Sequence, residues 1–168
     1  MKVVKSFDGY LEFDNGVAIE SYHDADCCED NYLDFEQFPI GAEFPTMSVE
    51  ELCRSLVLRP DGLILKDGEG IPKWAQARSE QNGYYSYNVG VAIKDDSDTY
   101  ILAPKCYLKE IVNGTKSLTC QGCEVLGDFD PAWREGAYRT DIVWVNTKDK
   151  STIPVKWAER NDKEQGND

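Results

Sequence analysis

A chain of 168 residues with a formal net charge of −13 is long enough to bury a core without disulfide staples and fits one domain, or one domain with a small addition. That charge repels nucleic-acid phosphates and anionic membranes at long range, so direct nucleic-acid binding and a membrane partner are not expected. The longest apolar runs, Leu63 to Leu65 and Ile142 to Val145, are too short to cross a bilayer or to form a signal-peptide core, which makes the cytoplasm the expected location.

The charge is unevenly placed. Residues 1 to 53 hold 13 Asp and Glu against Lys2 and Lys5 alone, and no Lys or Arg occurs between Asp8 and Glu51. A solvated acidic face that maintains solubility explains this as well as a surface built to enter a basic groove. Six cysteines without a secretion signal read as reduced thiols or metal ligands rather than as a disulfide framework, and Asn113-Gly114-Thr115 reads as a turn rather than a glycosylation site.

The chain opens with strand-like segments Lys2 to Phe7, Tyr10 to Phe13 and Val17 to Tyr22, the last two joined by Asp14-Asn15-Gly16, a hairpin turn because Asn-Gly accepts positive φ. Cys28, Tyr32 and Phe35 fall at helical spacing and predict a short helix within Asp24 to Phe38, with Asp26 as its cap. Ser48 followed by Glu51 has the form of a capping box and predicts a second helix over Val49 to Leu56. Pro60 and Asp61-Gly62 interrupt the pattern. Further strands are expected at Leu63 to Lys66, Tyr87 to Lys94, Thr99 to Lys109, Lys116 to Cys120, Tyr138 to Asn146 and Ile153 to Ala158, all rich in β-branched and aromatic residues. The expected fold is mostly β within the α+β class, an antiparallel sheet or partly closed barrel with two short helices.

Tyr10-Leu-Glu-Phe-Asp-Asn-Gly, then His23-Asp-Ala-Asp-Cys-Cys-Glu and Tyr32-Leu-Asp-Phe, and later Asn82-Gly-Tyr-Tyr-Ser, together resemble a domain of uncharacterised activity found in bacteriophages and their bacterial hosts. Its signature is His-x-x-Asp-Cys-Cys-Glu with an Asn-Gly-Tyr-Tyr-Ser turn. The resemblance covers about residues 8 to 94 and implies a phage or mobile-element origin and a bacterial host cell, but no activity. Ala75-Gln-Ala-Arg-Ser stands where a glycine-containing loop is expected. The chain therefore divides into a family-like acidic region 1–94, a further β-rich region 95–160 packed on the same core, and a disordered polar tail 161–168.

Three constellations carry candidate chemistry. If the first helix includes His23, then His23, Cys27, Asp30 and Asp34 share one helical face; if Asp26 caps it, His23 ends the preceding strand. His23 is the single histidine, so any histidine acid or base is this residue, with Asp24 or Asp26 orienting it. The alternative is a corner in which Cys28 is a core residue and His23 with Asp26 supplies hydrogen bonds. A cysteine nucleophile at Cys27 or Cys28 is disfavoured by the surrounding Asp24, Asp26, Glu29 and Asp30, which oppose a thiolate.

The second constellation is structural zinc, joining His23 and Cys27 or Cys28 to Cys120 and Cys123, whose two-residue spacing suits tetrahedral thiolate binding. The third is Tyr84, Tyr85 and Tyr87 with Arg78 and Lys73, either a packed hairpin or a platform for a small nucleotide. Trp133 and Arg134 read equally as an interface anchor or a packed corner.

The expected function is a non-catalytic binding protein that inhibits a host factor, a defence nuclease being one such target, by presenting Asp24, Asp26, Glu29, Asp30 and Asp34 to a basic groove. The alternatives are a sponge for a small nucleotide signal at Tyr84, Tyr85 and Arg78, a metal- or carboxylate-dependent enzyme at His23, and a structural or virion-associated module.

Overall fold

The structure is a computed structural model that describes residues 1–23, 30–80, 88–105, 124–127 and 142–158. The opening meander is β1 (Val3–Phe7), β2 (Tyr10–Phe13) and β3 (Ala18–Tyr22), each antiparallel to the next. Its second turn follows from the chemistry of Asn15-Gly16. Gly16 takes φ 87° and donates its N–H to Phe13 O at 3.0 Å, a conformation open to glycine because no Cβ obstructs it. The Asn15 amide meanwhile donates to Met47 O at 3.0 Å, tying the turn to the segment that enters the helix.

Residues 30–34 overturn one expectation. They form β4 (Asp30–Asp34), antiparallel to β7 (Pro72–Glu80), not part of a helix over Asp24 to Phe38. Asn31, Leu33 and Phe35 are the buried positions, a period of two that belongs to a strand. Asn31 disguises that period because a polar residue takes an inward place. The other expected helix is present as α1 (Val49–Ser55), with the reciprocal Ser48–Glu51 capping box at 3.2 Å in both directions. α1 turns Val49, Leu52 and Cys53 inward and packs against strands of the larger sheet. Among the described residues it is the one α-helix, where two were expected.

The remaining strands are β5 (Val57–Arg59), β6 (Gly62–Lys66), β8 (Gly90–Lys94), β9 (Thr99–Pro104), β10 (Ile142–Asn146), β11 (Thr152–Pro154) and β12 (Lys156–Trp157). They assemble into a seven-stranded sheet, β1-β2-β3-β8-β9-β10-β11, and a five-stranded sheet, β12-β5-β6-β7-β4. Pairing is antiparallel apart from β12, which joins β5 in parallel. Among the described residues these are two open sheets and no closed barrel, the antiparallel-sheet alternative of the expectation. The segment Ala75 to Ser79, expected in a loop, lies within β7.

Both sheets contribute to one core. Leu11, Ile19, Ile93, Leu102 and Trp144 come from the larger sheet, Leu33, Leu58, Leu63 and Ala75 from the smaller, and Leu52 and Leu56 from α1 and its cap. β8 pairs with β9 within the larger sheet and β5 with β12 within the smaller one, so residues before and after position 94 share both sheets. Ala92, Ile101, Ala103, Val143 and Val145 form a second buried cluster on the other face of β8 to β10. Central strands buried on both faces read as near-continuous apolar runs, as Ile142-Val143-Trp144-Val145 does.

Candidate functional site

At one end of β3 the His23 side chain is 4% exposed and its Nδ1 lies 3.0 Å from Oε1 of Glu124, whose side chain is fully buried. The Asn31 amide lies against the imidazole, near both ring nitrogens, with Nδ2 3.5 Å from Nδ1. Its Nδ2 donates to Asn88 O at 3.1 Å and lies 3.2 Å from His23 Nε2, while its Oδ1 accepts from Ser79 Oγ at 2.5 Å. An ionised carboxylate only accepts, so Nδ1–H donates to Glu124, an assignment made by the hydrogen-bond network. The imidazole is thus enclosed, with Nδ1 on Glu124 and the Asn31 amide against the ring. It links β3, β4, β7 and the 124–127 segment, which pairs through Val89 and Leu126 and through Gly127 N–H to Pro60 O. This arrangement suits a structural lock better than an acid or base, which needs reach to a substrate.

The strand register places the acidic residues elsewhere. Asp30, Tyr32 and Asp34 alternate with the inward Asn31 and Leu33, so they occupy the outer face of the β4–β7 ribbon, away from His23. The predicted grouping of His23 with Asp30 and Asp34 on one helical face is therefore corrected: the carboxylates share a face and His23 is on the other. Across the ribbon Asp30 stands directly opposite Glu80, and Tyr32 opposite Arg78. Like charges in directly opposed positions repel, and both residues are exposed. Tyr32 donates its hydroxyl to Glu80 at 2.9 Å, and the Arg78 guanidinium donates to Asp34 Oδ2 at 2.5 Å. Desolvation, the Glu80 hydrogen bond and the charges of Glu80, Asp8 and Asp34 together raise the Tyr32 phenol to about 12.

The acidic character continues around the corner between the sheets. Gly9 N–H donates to Leu33 O at 2.9 Å and Ser6 Oγ to Phe35 O at 3.3 Å, drawing the β1–β2 turn against the end of β4. A cleft of about 350 Å³ remains there, lined by Ser6, Phe7, Asp8, Asp34, Phe35 and Glu36. Nearby, Tyr10 donates to Glu12 at 2.5 Å. That bond first, then desolvation and the charges of Glu12 and Glu20, raise the Tyr10 phenol to about 12.

Of the residues singled out from sequence, Asp30, Asp34 and Arg78 are brought onto one face. Lys73 lies apart, 3.9 Å from Asp67. Asp24, Asp26, Cys27, Cys28, Glu29, Tyr84, Tyr85, Tyr87, Cys120, Cys123, Trp133 and Arg134 lie outside the described residues, as does the tail 161–168. Glu124 is the carboxylate described against His23, a position that no local motif signals. Among the described residues no three His, Cys, Asp or Glu side chains converge as a metal ion would require, and no helix is long and apolar enough to cross a membrane. Compared with known proteins, the chain matches no family model, no curated protein and no solved structure.

Proposed function

We propose that this chain is a non-catalytic binding protein of phage or mobile-element origin that inhibits a basic host factor by presenting the outer face of the β4–β7 ribbon. The observation that carries the reading is the opposition of Asp30 and Glu80 on exposed strand positions beside Asp34. Intramolecular pairing leaves this repulsion in place, and a cationic partner would relieve it. Arg78, the cation that a nucleotide sponge would turn toward phosphate, is engaged by Asp34, and a phosphate there would meet three carboxylates. A defence nuclease fits the partner class, since a groove that holds nucleic acid is basic. The test is retention of proteins from a bacterial host lysate on the tagged chain at low and at high salt. A single basic protein held at low salt and lost at high salt is expected, because exposed charge contacts are screened. Retention that ignores salt would overturn the reading.

A structural metal is the second reading. Its supporting observation is that the His23–Glu124 contact joins two chain positions bordering the cysteine pairs, Cys27-Cys28 four residues after His23 and Cys123 directly before Glu124. His23, Cys27, Cys120 and Cys123 are the four ligands of this reading, a donor set that suits tetrahedral zinc. Stoichiometric zinc in the purified chain, lost on replacing Cys120 and Cys123 by Ser, is the expected result; a zinc-free, fully folded protein would exclude it.

A further inference from the structure

Phe7 is 60% exposed, and its ring is held in place by stacking on Tyr10 at a centroid distance of 5.2 Å and an interplanar angle of 21°. An exposed phenyl ring so fixed forms one wall of the cleft between the β1–β2 turn and the end of β4, with Asp8, Asp34 and Glu36 around it. Most carboxylates of this region already have partners: Glu12 takes the Tyr10 hydroxyl, Glu20 takes Lys94, Glu80 takes the Tyr32 hydroxyl and Asp34 takes Arg78. Among the described residues Asp8 and Glu36 have no cation, and both are exposed.

We infer that this cleft receives one arginine side chain of the partner protein, its guanidinium against Phe7 and between Asp8 and Glu36. The inference rests on the acidic-face reading and names the chemistry that face recognises. Charge complementarity selects a cation, and the wall selects its kind. A hard divalent ion needs several converging oxygen ligands, and among the described residues no three acidic side chains converge in that way. A guanidinium is planar, weakly hydrated and able to stack on an aromatic face while its edge meets carboxylates. The cleft, at about 350 Å³, is near the roughly 300 Å³ lower bound of ligand sites and admits a side chain rather than a folded element. The chain supplies its own stand-in: Arg78 docks its guanidinium on Asp34, a residue that lines the cleft. Arg78 is then a competitor for the incoming arginine, so its removal strengthens binding.

The probe is a capped Gly-Arg-Gly peptide titrated into the isotope-labelled full chain, with a citrulline peptide of the same shape and no charge beside it, followed by amide chemical shifts. Shifts at Phe7, Asp8 and Glu36 are expected with arginine and not with citrulline. Phe7→Ala should raise the apparent Kd about two- to fivefold, the size of an exposed cation–π contact, and Arg78→Gln should lower it by a similar factor. Equal shifts with citrulline, an unchanged Kd in Phe7→Ala, or weaker binding in Arg78→Gln would overturn the inference. The positions are exposed, so the variants keep the fold, which the unperturbed remainder of the spectrum verifies. If a lysate partner is retained in a salt-sensitive manner while the peptide shifts nothing, the cleft assignment fails and the acidic-face reading stands. If the peptide binds and no partner is retained at either salt, the acidic-face reading fails instead.

Discussion

Replacing His23 by Ala tests whether the enclosed imidazole is a structural lock. The substitution removes the Nδ1–H that lies 3.0 Å from the fully buried Glu124 carboxylate and the ring that packs 3.2 Å from the Asn31 amide nitrogen. Leaving a buried acceptor without its donor costs about 1–3 kcal/mol. For a chain of this size each kcal/mol lowers Tm by about 2–4 °C, so the variant should melt roughly 2–12 °C below the parent. Urea unfolding followed by circular dichroism should show a lower midpoint with an unchanged m-value. Glu124→Gln keeps a carbonyl acceptor for His23 Nδ1–H and should cost only about 1 kcal/mol, the net worth of an ordinary hydrogen bond. A loss under about 1 kcal/mol for His23→Ala would refute the lock, and His23 would return as a candidate acid or base.

Tyr10 and Tyr32, both raised to about 12, should ionise well after ordinary tyrosine when absorbance near 295 nm is followed with pH. Because the folded-state values lie above the unfolded value of about 10, their contribution to stability is complete below pH 10 and is lost as pH rises toward 12; Tyr32→Phe should remove part of that slope. Gly62→Ala should destabilise by about 1–3 kcal/mol or more, since a Cβ there would lie 2.2 Å from Ala75 O and 2.6 Å from the Trp74 ring, which chemical denaturation measures. The Cys53 thiol is raised in pKa mainly by burial, so peptide mapping after iodoacetamide treatment of the folded chain should find it unmodified and find it alkylated in denaturant.

Local chemistry made parts of this fold legible. The Asn15-Gly16 turn and the Ser48–Glu51 box are interactions between near neighbours, and both form where the residues dictate. β8 to β10 were readable because apolar burial on both faces leaves a continuous run of Val, Ile and Leu. β7 was not: its inward residues are Ala75, Ala77 and Ser79, too small or polar to stand out, although it is the longest strand described. β4 was misread for the related reason that Asn31 points inward to satisfy His23, Asn88 and Ser79. Glu124, the missing partner of His23, lies far along the chain and carries no motif. The acidic bias of the first third was plain in the sequence, but the direct opposition of Asp30 and Glu80 emerges only from the strand register.

The central claim is that the outer face of the β4–β7 ribbon holds a basic partner. Its most direct test is a side-by-side pull-down from bacterial host lysate with the parent chain and with Asp30→Asn, Asp34→Asn and Glu80→Gln combined, at low and high salt. The account predicts that the parent retains one basic protein at low salt, that high salt releases it, and that the neutralised variant, folded by circular dichroism, does not retain it. Equal retention by parent and variant would contradict the account.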